Sequence, residues 1–361
     1  MKFSVLVVAS AVIVAAIVVA VGAEKTITAV REAGVWAFVA VGALTFLSLA
    51  MQTGAWRILN RPVGHRVRLR TLFDAVVAGV AGNILTPSTY LGGEPLKVIY
   101  VGRVTGLPYH ELAGTVVLSK YLELTSFVLF FSGCTAVAAV SFADTLFRPP
   151  YVPAGVTMLV LAGLLFGFGV AMLVSLSRRR RPLTGLVELA SRLRLGRRFF
   201  ARLRGKAREM EDQASRVFCE EGRTALSAFA AFLVAHASIL AKPAAFFYLG
   251  SRLHLGPGAL CLLFVASQGL LAVQLTPSGA GTLDGGLIAT FALMGLDTAA
   301  KLAHCMAYLL CLRLWDAVIV GTGALLAARV GARIASDRLV PAPPEGLARS
   351  VGERSRSADA S

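Results

Sequence analysis

Leu85-Thr86-Pro87-Ser88-Thr89-Tyr90-Leu91-Gly92-Gly93-Glu94 and Leu275-Thr276-Pro277-Ser278-Gly279-Ala280-Gly281-Thr282-Leu283-Asp284 follow one plan. The Thr-Pro-Ser units lie 190 residues apart, and so do the acids that close the two stretches. Each interrupts an otherwise apolar segment, 71–102 and 257–297. Proline disfavours helix at the residue before it and lacks an amide hydrogen, while glycine permits turns that a side chain hinders. The two segments therefore read as helical hairpins with broken tips. Unpaired peptide groups cannot face lipid, so such tips must be buried in protein or line a wet cavity.

The surroundings of the hairpins are those of a membrane protein. Of the 361 residues, 56% are hydrophobic and 16% charged, against roughly 45–50% and 25% in soluble domains. The mean hydropathy is +0.71. Apolar residues fall in blocks, and about 20 in a row cross a hydrocarbon core. Full spans are expected at 3–22, 34–56, 113–142, 153–177, 223–249 and 299–328. The first run is longer than the h-region of a signal peptide and reads as a span. The expected fold class is an all-α polytopic membrane protein, with about six full transmembrane helices and two re-entrant hairpins related as an inverted repeat. The five cysteines lack CxxC spacing and read as small packing residues.

The net charge of +16 is uneven. Lys- and Arg-rich short loops stay cytoplasmic, which places Arg57 to Arg70, the basic stretch 178–221 and the tail bases Arg329, Arg333 and Arg338 inside. The connections at 23–33, 143–152 and 250–256 carry few bases and belong outside. Both termini are then cytoplasmic, in a plasma membrane such as the bacterial inner membrane. The bases flank spans, so anionic lipid headgroups, not nucleic acid, are their expected partners. The 178–221 stretch reads either as amphipathic surface helices or as a solvated loop, and 329–361 as a disordered tail. This orientation makes 71–102 a hairpin entered from the cytoplasm and 257–297 one entered from outside.

The repeat continues beyond the tips. Lys120 with Glu123, and Arg313 with Asp316, each set a base three residues before an acid, on one helical face. The tip acids Glu94 and Asp284 have two readings. They are partners of the helices restarting behind the tips, with Pro95 in one first turn and Thr282 as the other cap. Alternatively, as ionisable groups at membrane depth, they face a pathway. The second reading draws in Lys97, Lys120, Lys242, His236, Lys301, His304 and Arg313 as one polar layer.

The stretch Gly82–Val104, with Asn83, Thr86-Pro87, Gly92-Gly93-Glu94-Pro95 and Arg103, resembles the transmembrane flippase-like domain of lysylphosphatidylglycerol synthases. The Lys120 span and the Gln274–Asp284 hairpin extend the resemblance over about 30–330. It departs from the family in having Ser119-Lys120 where Glu-Arg is common and Asp284 where Glu is common. The resemblance implies movement of phospholipid, hopanoid-type or lipid-linked headgroups between leaflets. With it, Asn83, Thr86, Pro87, Ser88, Gln274, Thr276, Pro277 and Ser278 join Glu94, Asp284, Lys120, Arg313, Glu123, Asp316, Lys242 and His236 as candidate translocation residues. About 30 residues follow the last span, too few for an aminoacyl-transfer domain.

A lipid translocator without cofactor is the leading expectation. A membrane-embedded lipid-modifying enzyme is the alternative, weakened by the lack of HExxH, GxSxG, P-loop or metal-ligand motifs. The third is a partner subunit of a lipid-synthesis enzyme.

Overall fold

Short of a closed barrel, only helix carries a long apolar run through hydrocarbon with every peptide group paired. The computed structural model describes residues 23–61, 67–86, 92–149, 152–178, 222–251, 253–272, 279, 281–296 and 298–339, and these contain helices and no strand. The long helices are α1 (Ala23–Asn60), α4 (Tyr109–Ser141), α6 (Val152–Ser177), α7 (Gly222–Ser251) and α10 (Ala299–Leu339). All five are long and apolar enough to cross a membrane. The short ones are α2 (Leu69–Leu85) with α3 (Glu94–Thr105), the four-residue α5 (Ala143–Leu146), and α8 (Pro257–Ala272) with α9 (Thr282–Leu293). The span expected at 3–22 and the stretch 179–221 lie outside the described residues.

Two boundaries differ from expectation. Residues 23–33, read as a connection, are helical and continuous with α1 across a break at Gly34 (φ 68, ψ 166). Ala29, Ala33 and Ala37 are buried there, because small residues let α7 approach until Gly250 sits on Ala33. A Cβ at Gly34 would meet nothing within 4 Å, so only its backbone requires glycine. Gly34→Ala is expected to lower stability by about 1–3 kcal/mol, the cost of that glycine-only region, read as a fall in Tm in detergent. Residues 329–339, read as part of a disordered tail, continue α10 as helix. No proline occurs in the chain between Ala299 and Pro341.

The hairpins α2–α3 and α8–α9 enter the bundle from opposite ends. Leu72, Ala75 and Val101 of the first pack with Trp56 near the end of α1, Leu112 at the start of α4, and Leu326 of α10. Leu263, Leu287 and Phe291 of the second pack with Ala29 and Ala33 at the start of α1, Phe247 near the end of α7, and Ala303 at the start of α10. Their partners are also exchanged between halves. The arm α2 lies against α10, with Gly323 on Ala81, and α8 lies against α4, with Gly258 on Ser141. Helices α1 and α7 run antiparallel through the middle in extensive contact.

This is a two-fold inverted arrangement, and single contacts repeat in it. Trp56 Nε1 donates to Thr115 Oγ1 at 3.1 Å between α1 and α4. Phe246, 190 residues after Trp56, meets Tyr308, 193 after Thr115, with ring centroids 5.3 Å apart between α7 and α10. An indole hydrogen bond in one half is an aromatic contact in the other.

Most buried hydroxyls serve their own helices. Thr45, Thr53, Thr125, Ser132 and Thr135 donate to the carbonyl four residues back, which satisfies them without a partner helix or water. Exposed apolar faces such as Val160, Leu164 and Phe166 on α6 suit lipid contact. Cys134, Cys261, Cys305 and Cys311 are buried free thiols.

Candidate functional site

The first tip is shaped by close approach of its arms. A Cβ on Gly93 would run into the Gly79 carbonyl, and one on Gly79 would stand 2.7 Å from the Lys97 side chain. Two glycines therefore let the arms touch and let Lys97 run between them, buried, toward the tip. The Thr86 amide and hydroxyl both donate to Gly82 O, at 3.0 and 2.9 Å, ending α2. Asn83 Oδ1 accepts the Gly93 N–H at 2.7 Å and ties the two arms together. Glu94 opens α3 with Pro95 behind it in the first turn.

Four charges meet at that tip. Lys97 Nζ lies 3.1 Å from Glu94 Oε2. From α4, Lys120 Nζ lies 3.4 Å from Glu94 Oε1 and 3.2 Å from Glu123 Oε2, bridging the tip acid and its own helix's acid. These residues border a small cleft with room for about one water, shared with Gln52, Trp56, Val76, Val116, Ser119 and Phe232. His236 on α7 sits one turn further along, its Nε2 3.2 Å from Ser126 Oγ and its ring against Phe127 and Phe130.

The second tip repeats the wiring with different side chains. Asp284 accepts the Gly281 N–H at 3.0 Å, so the cap of α9 comes from Asp284 reaching back. Thr282, expected as the cap, instead donates to Gly279 O at 3.1 Å. Gly279 and Gly281 have φ of 63° and 86°, which is why glycine stands at both positions. From α10, Arg313 Nη2 donates to Asp284 Oδ1 and Oδ2 at 3.0 and 2.9 Å, and Nε donates to Oδ1 at 3.2 Å. Its Nη1 reaches Asp316 Oδ2 at 3.4 Å. Lys242 on α7 lies within electrostatic reach of Asp316.

Each half thus joins a tip acid to a base on the long helix behind it, and that base to the acid three residues on. Glu94, Lys120 and Glu123 form one chain; Asp284, Arg313 and Asp316 form the other. The two lie at different depths. Gln52 of α1 borders the first, while Gly42 of α1 receives Trp315 beside the second. Ten helical residues separate these positions, roughly 15 Å along the axis.

Lys301 and His304, expected in the same layer, stand apart from it. Lys301 is exposed and donates to Gly295 O at 3.4 Å. His304 Nε2 lies 3.3 Å from Glu32 toward the second-hairpin end. Both occupy the first turns of α10, too far along the helix to reach Arg313. Pro87, Ser88, Gln274, Thr276, Pro277 and Ser278 lie outside the described residues. Among the described residues no three or more His, Cys, Asp and Glu converge as a metal site requires. Gln52 and Gly79 were missed in the sequence, and Ser119 was read only as a departure from the family pattern. Carrying the 190-residue offset back from the tips aligns Gln52 with Lys242, a signal available from the start.

The comparison that decides kinship covers almost the whole chain: residues 4–328 match the family described as Lysylphosphatidylglycerol synthase TM region. This chain belongs to that family. As a member of the lysylphosphatidylglycerol synthase TM region family it is a multi-pass membrane protein. It is similar to a UPF0104 membrane protein of Methanothermobacter thermautotrophicus, 26% identical over 313 residues, covering 84% of this chain and 88% of the relative. Another UPF0104 membrane protein, from Pyrococcus horikoshii, is 22% identical over 299 residues, covering 79% and 85%. No solved structure is significantly similar to it.

Proposed function

We propose that this chain is a lipid translocator of the plasma membrane, with both termini cytoplasmic, that carries a polar headgroup between leaflets through the polar layer where its two hairpin tips meet the long helices. The observation that carries the reading is the repeated wiring: two hairpins from opposite ends, each presenting an acid to a base at its own depth. Inverted-repeat transporters place broken helices around such a site and expose it alternately to either side. A lipid headgroup moving past exchanges one partner for another at the lysines, the arginine and the acids, instead of entering hydrocarbon bare. Membership of a family named for the membrane region of a lipid synthase agrees with a lipid as cargo. The bases are already engaged with carboxylates, which suits binding and release better than acid–base chemistry, so the reading is a transporter rather than an enzyme. The basic stretches outside the hairpins then rest on anionic headgroups.

The test is reconstitution in vesicles containing a panel of fluorescent lipids, with leaflet exchange followed by dithionite quenching. Wild type is expected to exchange at least one lipid at ten or more times the empty-vesicle rate. Asp284→Asn, which keeps the cap acceptor and removes the charge opposite Arg313, is expected to slow that exchange at least tenfold. Wild type that matches empty vesicles across the panel overturns the reading.

A further inference from the structure

The two tip acids differ in openness, Glu94 exposing 14% of its side chain and Asp284 4%. At the first tip Glu94, Lys97, Lys120 and Glu123 expose 11–21% of their side chains, all bordering the cleft. At the second, Asp284 exposes only 4% and is clasped by Arg313 at 16%, while Asp316 exposes 35%. The first cluster is therefore the one whose tip acid is open to an exchange of partners. Its composition is also particular: two ammonium groups and two carboxylates, with neutral Gln52 and Ser119 and apolar Trp56, Val76, Val116 and Phe232 as the remaining walls.

We propose that, granted the translocator reading above, this cleft selects lipids whose headgroup carries one phosphate anion and one primary ammonium group over lipids whose headgroup is only anionic. The charge count carries the argument. The four described charges sum to zero, so a purely anionic headgroup leaves the cleft with one uncompensated negative charge in a medium of low dielectric, which is strongly disfavoured. A zwitterion leaves the sum at zero. Its phosphate takes a lysine from a glutamate, and its ammonium takes the glutamate that was released. Lys120 already stands within 3.4 Å of both carboxylates, and Lys97 within 3.1 Å of one of them. A headgroup a few bonds long can therefore engage both signs at once. Carboxylates accept N–H hydrogen bonds that a trimethylammonium cannot donate, which favours a primary amine over a quaternary one. The apolar walls suit the lipid's glycerol end and favour a lipid over a free phosphoamine.

The experiment uses the full chain in vesicles, comparing leaflet exchange of fluorescent phosphatidylethanolamine, phosphatidylglycerol and phosphatidylcholine, with uptake of radiolabelled soluble glycerophosphoethanolamine, a phosphodiester of the same zero net charge, as a further arm. Phosphatidylethanolamine is expected to exchange at least tenfold faster than the other two, and glycerophosphoethanolamine to stay outside. Glu123→Gln raises the cleft to a net +1 and is expected to reverse the order in favour of phosphatidylglycerol. Lys97→Gln lowers it to a net −1 and is expected to widen the original ratio; it decides the matter if Glu123→Gln does not fold. Equal rates for phosphatidylethanolamine and phosphatidylglycerol, or ratios that neither variant moves, overturn the selectivity while leaving a translocator. Uptake of glycerophosphoethanolamine at the lipid's rate overturns the preference for a lipid. No lipid moving faster than in empty vesicles overturns the translocator reading and this selectivity with it.

Discussion

Arg313→Met is expected to destabilise the protein by about 3–5 kcal/mol, seen as a large fall in Tm and in the yield of monodisperse protein in detergent. The cause is what the substitution leaves behind. Asp284 exposes 4% of its side chain, and Arg313 provides three of its described hydrogen bonds. The Gly281 amide alone then remains to it among those contacts. Breaking a buried ion pair from one side costs this much because a charge stays buried without its partner. Removing both charges does not. Asp284→Asn with Arg313→Met keeps an acceptor for Gly281 and is expected to recover most of the lost stability. A single Arg313→Met variant as stable as wild type would show that the clasp contributes nothing.

Gly93→Ala is expected to cost about 3 kcal/mol, at the upper end for overpacking, because the added carbon meets backbone. At many glycines a new methyl is accommodated by a neighbour changing rotamer. Here the obstacle is the Gly79 carbonyl on the facing arm, so the arms must separate. Separation would also stretch the 2.7 Å Asn83–Gly93 bond. Gly285, inside α9, meets nothing within 4 Å and is the control. Gly285→Ala is expected to leave Tm unchanged or slightly raised, since alanine favours helix. Equal Tm values for the two variants would mean that the contact between arms is not tight.

The class of fold was legible because length and apolarity decide it: helices long enough to cross appear where 113–142, 153–177, 223–249 and 299–328 were read. The family was legible in the tip motif and the Lys120 span. What escaped has physical causes. The helix at 23–33 looked like a connection because it carries Lys25, Arg31 and two glutamates, yet Ala29 and Ala33 sit on the inner face. Thr282 looked like a cap because hydroxyls cap helices well, but the cap position is Gly281, whose amide is taken by the Asp284 carboxylate while Thr282 donates back to Gly279 O. Spacing brought Lys120 beside Glu123 and Arg313 beside Asp316. The bonds from those bases to Glu94 and Asp284 cross between helices, and no local spacing encodes them. His304 looked equivalent to Arg313 by polarity alone, and nine residues along a helix put it at another depth.

The exchange of partners between halves has a consequence for how the chain is made. Ala81 is synthesised 242 residues before Gly323, the glycine it rests against. At about 5–20 residues per second, that partner follows after roughly 12–50 s. Through that interval the first hairpin, with Glu94 and Lys97 already in place, waits in the bilayer without the helix that covers its outer arm. Its glycine-tight contact and the Asn83 staple lie within the hairpin itself and need no later helix. They are the means by which a charged, half-covered element can hold its shape until the last helix closes over it.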